Sequence, residues 1–265
     1  MISFDSCLKD ETPILVVHKN MIINRGVSTH KKNGSFFAKD YNASEFIGEE
    51  LCLMNHIRCS HYDLATLGSR FYHGTIPYEE VKKTFSPIML VSPNFHKKDC
   101  SYRSAFHYGL NPEAEDYFEQ LLSCANGEEN REQLRKDLYN MIALDIYMGQ
   151  TDRYCCYSNY QLEEDGYHHV RLAPLYDFEY SFQKLNEGEV CFGDLAHFET
   201  IEKARKFLLE HPDFREVLSP YLDVDLESVV RSSFAKRRLN VSEKALMDYC
   251  DFEEIQKEKI KRIVR

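Results

Sequence analysis

The sequence predicts an α+β chain of two lobes, a small β-rich N-terminal lobe over residues 1–95 and a larger helical C-terminal lobe over residues 96–265. Three observations lead to that class. Short apolar runs divided by turn signals fill the first ninety-odd residues, and beyond about residue 110 the apolar spacing lengthens to that of helices. The length of 265 residues also lies near the roughly 250–300 at which single cores stop growing, which favours two lobes around a cleft.

Taken in order, the β-like runs are Ile14 to Val17, Met21 to Ile23, Ser35 to Ala38 and Pro87 to Val91, and the stretch from Asn24 to Thr29 with Lys32-Asn33-Gly34 carries loop chemistry. Ser44 to Ile57 interrupts this sheet as a helix, with Phe46, Ile47, Leu51 and Met54 near helical spacing and Ser44 as N-cap. Asn111-Pro112 opens a helix carrying Tyr117, Phe118, Leu121 and Leu122, and Arg131 to Met148 forms a long one with an apolar stripe. Helical patterns return over 200–210, 242–249 and 252–265, the last with Asp251 and Glu254 at capping-box spacing.

Composition narrows the function. There are 33 basic against 43 acidic side chains, a net charge of −10, which disfavours a nucleic-acid clamp because phosphate binding needs a cationic face. The opening residues carry Asp5, Lys9, Asp10 and Glu11 where a signal peptide needs an apolar run, and no stretch of eighteen uncharged apolar residues follows. Nine cysteines, an odd number without a repeating CxxC, read as reduced thiols of a soluble cytoplasmic chain.

Chemistry concentrates between Leu144 and Phe182, where polar groups stand at the ends of apolar runs. Asp152 follows the long helix, Asn159 comes seven residues later, and Asp177 follows Leu172 to Tyr176. Phosphoryl transfer uses such a set: one carboxylate orients the attacking hydroxyl, and a carboxylate with an amide oxygen holds Mg²⁺ on nucleotide phosphates. Lys39, at the end of Phe36-Phe37-Ala38, is the candidate phosphate cation. Glu49 or Glu50 on the following helix is its candidate partner. Gly26, with Ser28 and Thr29 in the turn between two β-like runs, is the candidate phosphate cover through backbone N–H groups and hydroxyls.

These residues resemble the HipA-like Ser/Thr kinases, bacterial proteins of protein-kinase-like fold distantly similar to phosphatidylinositol kinases. The resemblance rests on Gly149-Gln-Thr-Asp-Arg-Tyr154 followed by Asn159 and on Leu172-Ala-Pro-Leu-Tyr-Asp-Phe-Glu-Tyr-Ser181. Weaker matches are Phe36 to Asp40, Gly48 to Cys52 and Leu90 to Phe95. It implies ATP and Mg²⁺ as cofactors, Asp152 as the catalytic, hydroxyl-orienting residue, Asn159 and Asp177 as metal ligands, and Lys39 as the nucleotide lysine held by Glu49. It also implies a protein hydroxyl as acceptor, autophosphorylation included, and an antitoxin or a host protein as partner, the latter after secretion by a non-classical route. Readings of other classes are a pseudokinase that binds nucleotide or protein, and a lipid or small-molecule kinase.

The chain departs from that family at three places. Tyr154 stands where the family carries His, and Tyr157 stands five residues after Asp152 where the family carries Asn, so Asn159 needs a two-residue bulge to reach the metal. Glu179 replaces the glycine that follows Asp-Phe in protein kinases, which disfavours a glycine-dependent backbone flip.

Other chemistry-bearing residues read as structural. Cys52, His56, Cys59 and His61 fit no zinc spacing, and Cys155-Cys156 suits packing better than a disulfide. His168-His169 marks a hairpin tip. Lys236 to Arg238 and the basic residues from Lys257 to Arg265 suit helix C-termini and a solvated face.

Overall fold

The computed structural model describes residues 7–8, 21–24, 27–30, 36–40, 42–66, 88–93, 95–154, 160–193 and 200–265. The run at 14–17, Gly26, Cys155-Cys156, Tyr157 and Asn159 lie outside the described residues. The α+β class is as expected. An antiparallel sheet of five strands occupies the N-terminal part, and seven α-helices with a three-stranded sheet make up most of the rest of what is described.

The five strands are β2 (Met21–Asn24), β3 (Val27–His30), β4 (Phe36–Asp40), β5 (Asp63–Thr66) and β6 (Ile88–Pro93), in the order β2-β3-β4-β6-β5. A further short strand, β1 (Cys7–Leu8), pairs elsewhere, with β10 (Leu239–Asn240). Residues 27–29, expected as part of a turn, belong to β3, so Ser28 and Thr29 stand in a strand opposite Ile23 and Ile22. The reason is local: Val27 and Thr29 are β-branched residues facing an isoleucine-bearing strand, a pairing that suits a pleated surface better than a turn. β4 is the central strand, and Lys39 in it pairs with Val27 on one side and Leu90 on the other.

The cap of helix α1 (Ala43–Met54) lies two residues earlier than expected, because Asn42, extended at φ −143°, accepts from the Ser44 backbone N–H at 2.9 Å. Asn42 is therefore the cap and Ser44 lies within the first turn. The helix buries Phe46, Ile47, Leu51 and Cys52.

In the second part, α2 (Tyr117–Ser123) begins six residues after Asn111. Asn111 caps a turn instead, its side chain accepting from Glu113 N–H at 3.1 Å. α3 (Glu128–Met148) runs into the core, and everything from Leu138 on except Asn140 is buried. β7 (Ser101–Arg103), β8 (Leu162–Glu164) and β9 (Val170–Leu172) form the small sheet, with the β8–β9 turn at the expected His168-His169 tip. Asn130 of α3 ties to β9, accepting from Val170 N–H at 3.0 Å and donating to Val170 C=O at 2.9 Å.

α4 (Ile201–Glu210) is capped by Thr200 as its sequence suggests. α5 (Phe214–Leu218) and α6 (Leu226–Lys236) were not expected. The two helices expected over 242–249 and 252–265 are one, α7 (Glu243–Val264), with Asp251 in its interior. No Gly or Pro interrupts it, and Ala245, Leu246, Tyr249, Phe252, Gln256, Ile260 and Ile263 bury one continuous stripe, so packing carries the helix through the capping-box signal.

Candidate active site

The loop after α3 is built from its helix cap. Gly149 is left-handed at φ +58°, and a Cβ there would lie 2.5 Å from Gln256 of α7, so both conformation and packing require glycine. Gln150, next in the chain, is fully buried. Its side-chain oxygen accepts from the backbone N–H groups of Thr151 at 2.8 Å and Asp152 at 3.2 Å, and its Nε2 donates to the Asp177 carbonyl at 3.0 Å. One amide thus joins the Asp152 loop to the Asp177 segment.

Arg153 reinforces the junction. Buried within the protein, its Nε and Nη2 donate to the Asp145 carboxylate on α3 at 3.0 and 3.1 Å, and its Nη1 donates to Tyr176 C=O at 2.7 Å. Burial opposes charge on Arg153, but the Asp145 carboxylate beside it more than compensates and holds its pKa above the ordinary value. A buried ion pair of this geometry, with Nη1 donating to a backbone carbonyl, fixes the loop between α3 and the segment leading to Asp177.

That segment, Leu172 to Tyr176, runs beside residues 58–60, with Ser60 N–H donating to Leu175 C=O and Leu175 N–H to Arg58 C=O, both at 2.8 Å. Asp177 then turns left-handed at φ +63°, which for a side chain with a Cβ stores roughly 1–2 kcal/mol of strain, somewhat less for Asp. The turn drops the Phe178 ring into the core against α1 and leaves the Asp177 side chain half-buried. Gly48 is the helix residue that permits this, since a Cβ on it would meet Phe178 Cγ at 2.5 Å.

One carboxylate oxygen from each of Glu45, Asp177 and Glu179 lies within 4.8 Å of the others. Glu45 is fully buried on α1, Asp177 is half-buried and Glu179 is exposed. Three carboxylates offer hard oxygen ligands, the donor type Mg²⁺ takes, so the residues present fit a divalent ion. Tyr62 stands beside them: its hydroxyl accepts from Asp177 N–H at 3.3 Å. Burial, then the Glu45 charge, pushes the Tyr62 pKa well above its ordinary value.

The helix carboxylates expected to hold Lys39 have other partners. Glu49 hydrogen-bonds to His61 Nδ1, accepts from Tyr62 N–H at 3.0 Å and forms a buried ion pair with Arg237, just past the end of α6. Glu50 pairs with Lys236 at 2.6 Å and accepts from Ser232 at 3.2 Å. The α1 carboxylate beside Asp177 is Glu45, one turn earlier on the same face.

The structure ties the backbone of Asp152 to that of Asp177 through Gln150, and places Lys39 on the central strand. Glu45, Gln150, Tyr62 and Arg237 were missed by sequence reading. Glu45 and Gln150 carried a signal, the first as a carboxylate one turn from Glu49 and the second as a polar residue wedged between a helix end and Asp152. Tyr62 and Arg237 carried none. Cys52, His56, Cys59 and His61 do not converge on a metal site among the described residues.

No protein-family profile matches the chain, and no curated protein sequence matches it significantly. Solved structures do. A proinflammatory kinase of Helicobacter pylori, CtkA, superposes with a TM-score of 0.54 at 13% identity, over 91% of this chain and 94% of that one. HipA of the Shewanella oneidensis MR-1 toxin–antitoxin system, solved with HipB and its operator DNA, superposes with a TM-score of 0.50 at 11% identity, over 96% of this chain and 66% of that one. The chain therefore has the fold of CtkA and HipA, the kinase-like fold that its sequence resemblance implied.

Proposed function

We propose that the chain is a HipA-like Ser/Thr protein kinase that transfers the γ-phosphoryl group of ATP to a protein hydroxyl, its own included. The observation that carries this reading is the Gln150 bridge: two aspartates in the order and spacing of a kinase catalytic loop and metal segment meet through one buried amide, in a fold shared with a kinase.

In this reading Asp152 orients the acceptor hydroxyl and receives its proton, acting as general base. Lys39, on the central strand, binds nucleotide phosphates. Gly26, with Ser28 and Thr29 beside it, covers the phosphates. Asp177 and Asn159 hold Mg²⁺, joined by Glu45 and Glu179. The metal supplies neutralisation of charge on the phosphoryl group in transfer. The acceptor is a soluble protein or an antitoxin-like or host partner, and the proposed location is the cytoplasm or a host cell. Among the described residues no helix is long and apolar enough to cross a membrane.

The test is incubation with labelled ATP and Mg²⁺ with a protein acceptor mixture, followed by mass spectrometry of modified residues. Label should enter protein with the wild type, and Asp152→Ala and Asp177→Ala should each abolish it, while Asp152→Ala still binds nucleotide. An Asp177→Ala chain with undiminished turnover refutes the assignment. Nucleotide binding without any transfer by the wild type would favour the pseudokinase reading.

A further inference from the structure

Tyr62 has no place in the kinase reading so far, yet it is the best-anchored side chain beside the carboxylates. It is buried, and its backbone is clamped at both polar atoms. The N–H donates to Glu49 at 3.0 Å, and the C=O accepts from Arg237 Nη2 at 2.8 Å and Nε at 3.1 Å. The Glu49–Arg237 ion pair that joins α1 to α6 therefore fixes the tyrosine from behind. A phenol held so rigidly has one proton to give and lone pairs to accept with. One of these is used on the cluster: the oxygen accepts from Asp177 N–H at 3.3 Å, with the Glu45 charge close enough to act on the phenol.

From this geometry we infer that Tyr62 is the positioning residue of the divalent-metal site, its hydroxyl holding the Asp177 backbone at the turn that presents the Asp177 carboxylate beside Glu45. The inference rests on the reading of Glu45, Asp177 and Glu179 as the metal-holding carboxylates. It explains why Asp177 keeps a left-handed backbone without glycine: the N–H exposed by the turn has an acceptor waiting. It also gives Glu49 a role. Glu49 acts one step back from the site, through Tyr62, in place of the nucleotide lysine it was expected to hold.

Tyr62→Phe removes the hydroxyl and keeps the ring. Mn²⁺ is titrated into the full chain with and without ADP, and the bound fraction is read by electron paramagnetic resonance. Amide exchange at Asp177 is followed in the metal-free protein. Tyr221→Phe is the control, since it removes a buried hydroxyl that makes no hydrogen bond among the described residues. The expected result is an Mn²⁺ half-saturation about tenfold higher in Tyr62→Phe, as the loss of one hydrogen bond that orients a ligand implies, with Tyr221→Phe unchanged. Exchange at Asp177 should accelerate about tenfold in the same variant. Metal binding in Tyr62→Phe equal to wild type overturns the inference. So does an Asp177 amide that already exchanges at the free-peptide rate in the wild type, a measurement that needs no variant to fold. If the wild type binds Mn²⁺ but transfers no phosphate, the kinase reading fails while Tyr62 is still judged on the binding curves; if it binds none, both fall.

Discussion

Gln150 and Asp177 are held together by a single hydrogen bond, from Nε2 of the first to the backbone carbonyl of the second at 3.0 Å, across 27 residues of chain. Because the same side chain accepts from Thr151 and Asp152 N–H, it is a bracket between the two segments that phosphoryl transfer must align. Gln150→Ala should remove three hydrogen bonds to backbone groups, of which Thr151 N–H keeps the Tyr180 carbonyl at 3.3 Å, costing about 1–3 kcal/mol for each group that is left buried and dry. Transfer should fall further than stability explains, by about 100-fold, because displacement of a reacting group by an ångström has that effect. Denaturant unfolding and turnover, measured side by side, check this; Gln150→Glu, which keeps the acceptor and loses the donor, should fall between.

The α1 carboxylates should separate by phenotype. Glu49→Gln leaves Arg237 buried beside a neutral group, and breaking one side of such a pair costs about 3–5 kcal/mol. Glu45→Gln instead relieves repulsion among three carboxylates within 4.8 Å, so stability without metal should hold or rise while transfer drops. Thermal melts with and without Mg²⁺, set against turnover, distinguish the two; equal destabilisation would contradict the assignment.

Gly48→Ala places a methyl 2.5 Å from Cγ of the buried Phe178 ring. Neither partner has room to yield, so overpacking should cost about 1–3 kcal/mol and tilt α1 away from Asp177. The expected readout is a lowered melting temperature with a loss of transfer larger than in a Gly166→Ala control, where a Cβ would meet nothing within 4 Å.

Glu163 should set part of the acid limit of stability. Burial opposes its charge, but Lys97 at 3.0 Å, the Tyr102 hydroxyl at 2.8 Å and Arg58 at 2.9 Å hold its pKa below the ordinary 4.5. The folded state thus binds this proton less readily than the unfolded chain. Its contribution is complete above the unfolded value near 4.5 and is lost as the pH falls through the lower folded one. Glu163→Gln should flatten the stability profile in that window and leave the slope at neutral pH unchanged, as urea midpoints across pH 3–6 would show.

Where the sequence was legible, the signal was local. α1, α3 and α4 show in their apolar spacing, and the β8–β9 hairpin in its turn residues, because a few neighbours decide those conformations. Where reading went astray, a distant partner decided. The capping-box signal at Asp251 lost to a stripe of α7 already packed on Gly149, and Val27 to Thr29 read as a turn until the facing strand was supplied.

By itself the amino-acid order determined the α+β class and the succession Lys39, Asp152, Asp177, since both follow from short-range periodicity and from polar groups standing at the ends of apolar runs. Only the tertiary structure decided which glutamate meets Asp177. Glu45 and Glu49 share one face of α1 and are equivalent to any local rule. They are told apart by Arg237, 188 residues from Glu49, whose buried guanidinium takes that carboxylate and leaves Glu45 beside the aspartate.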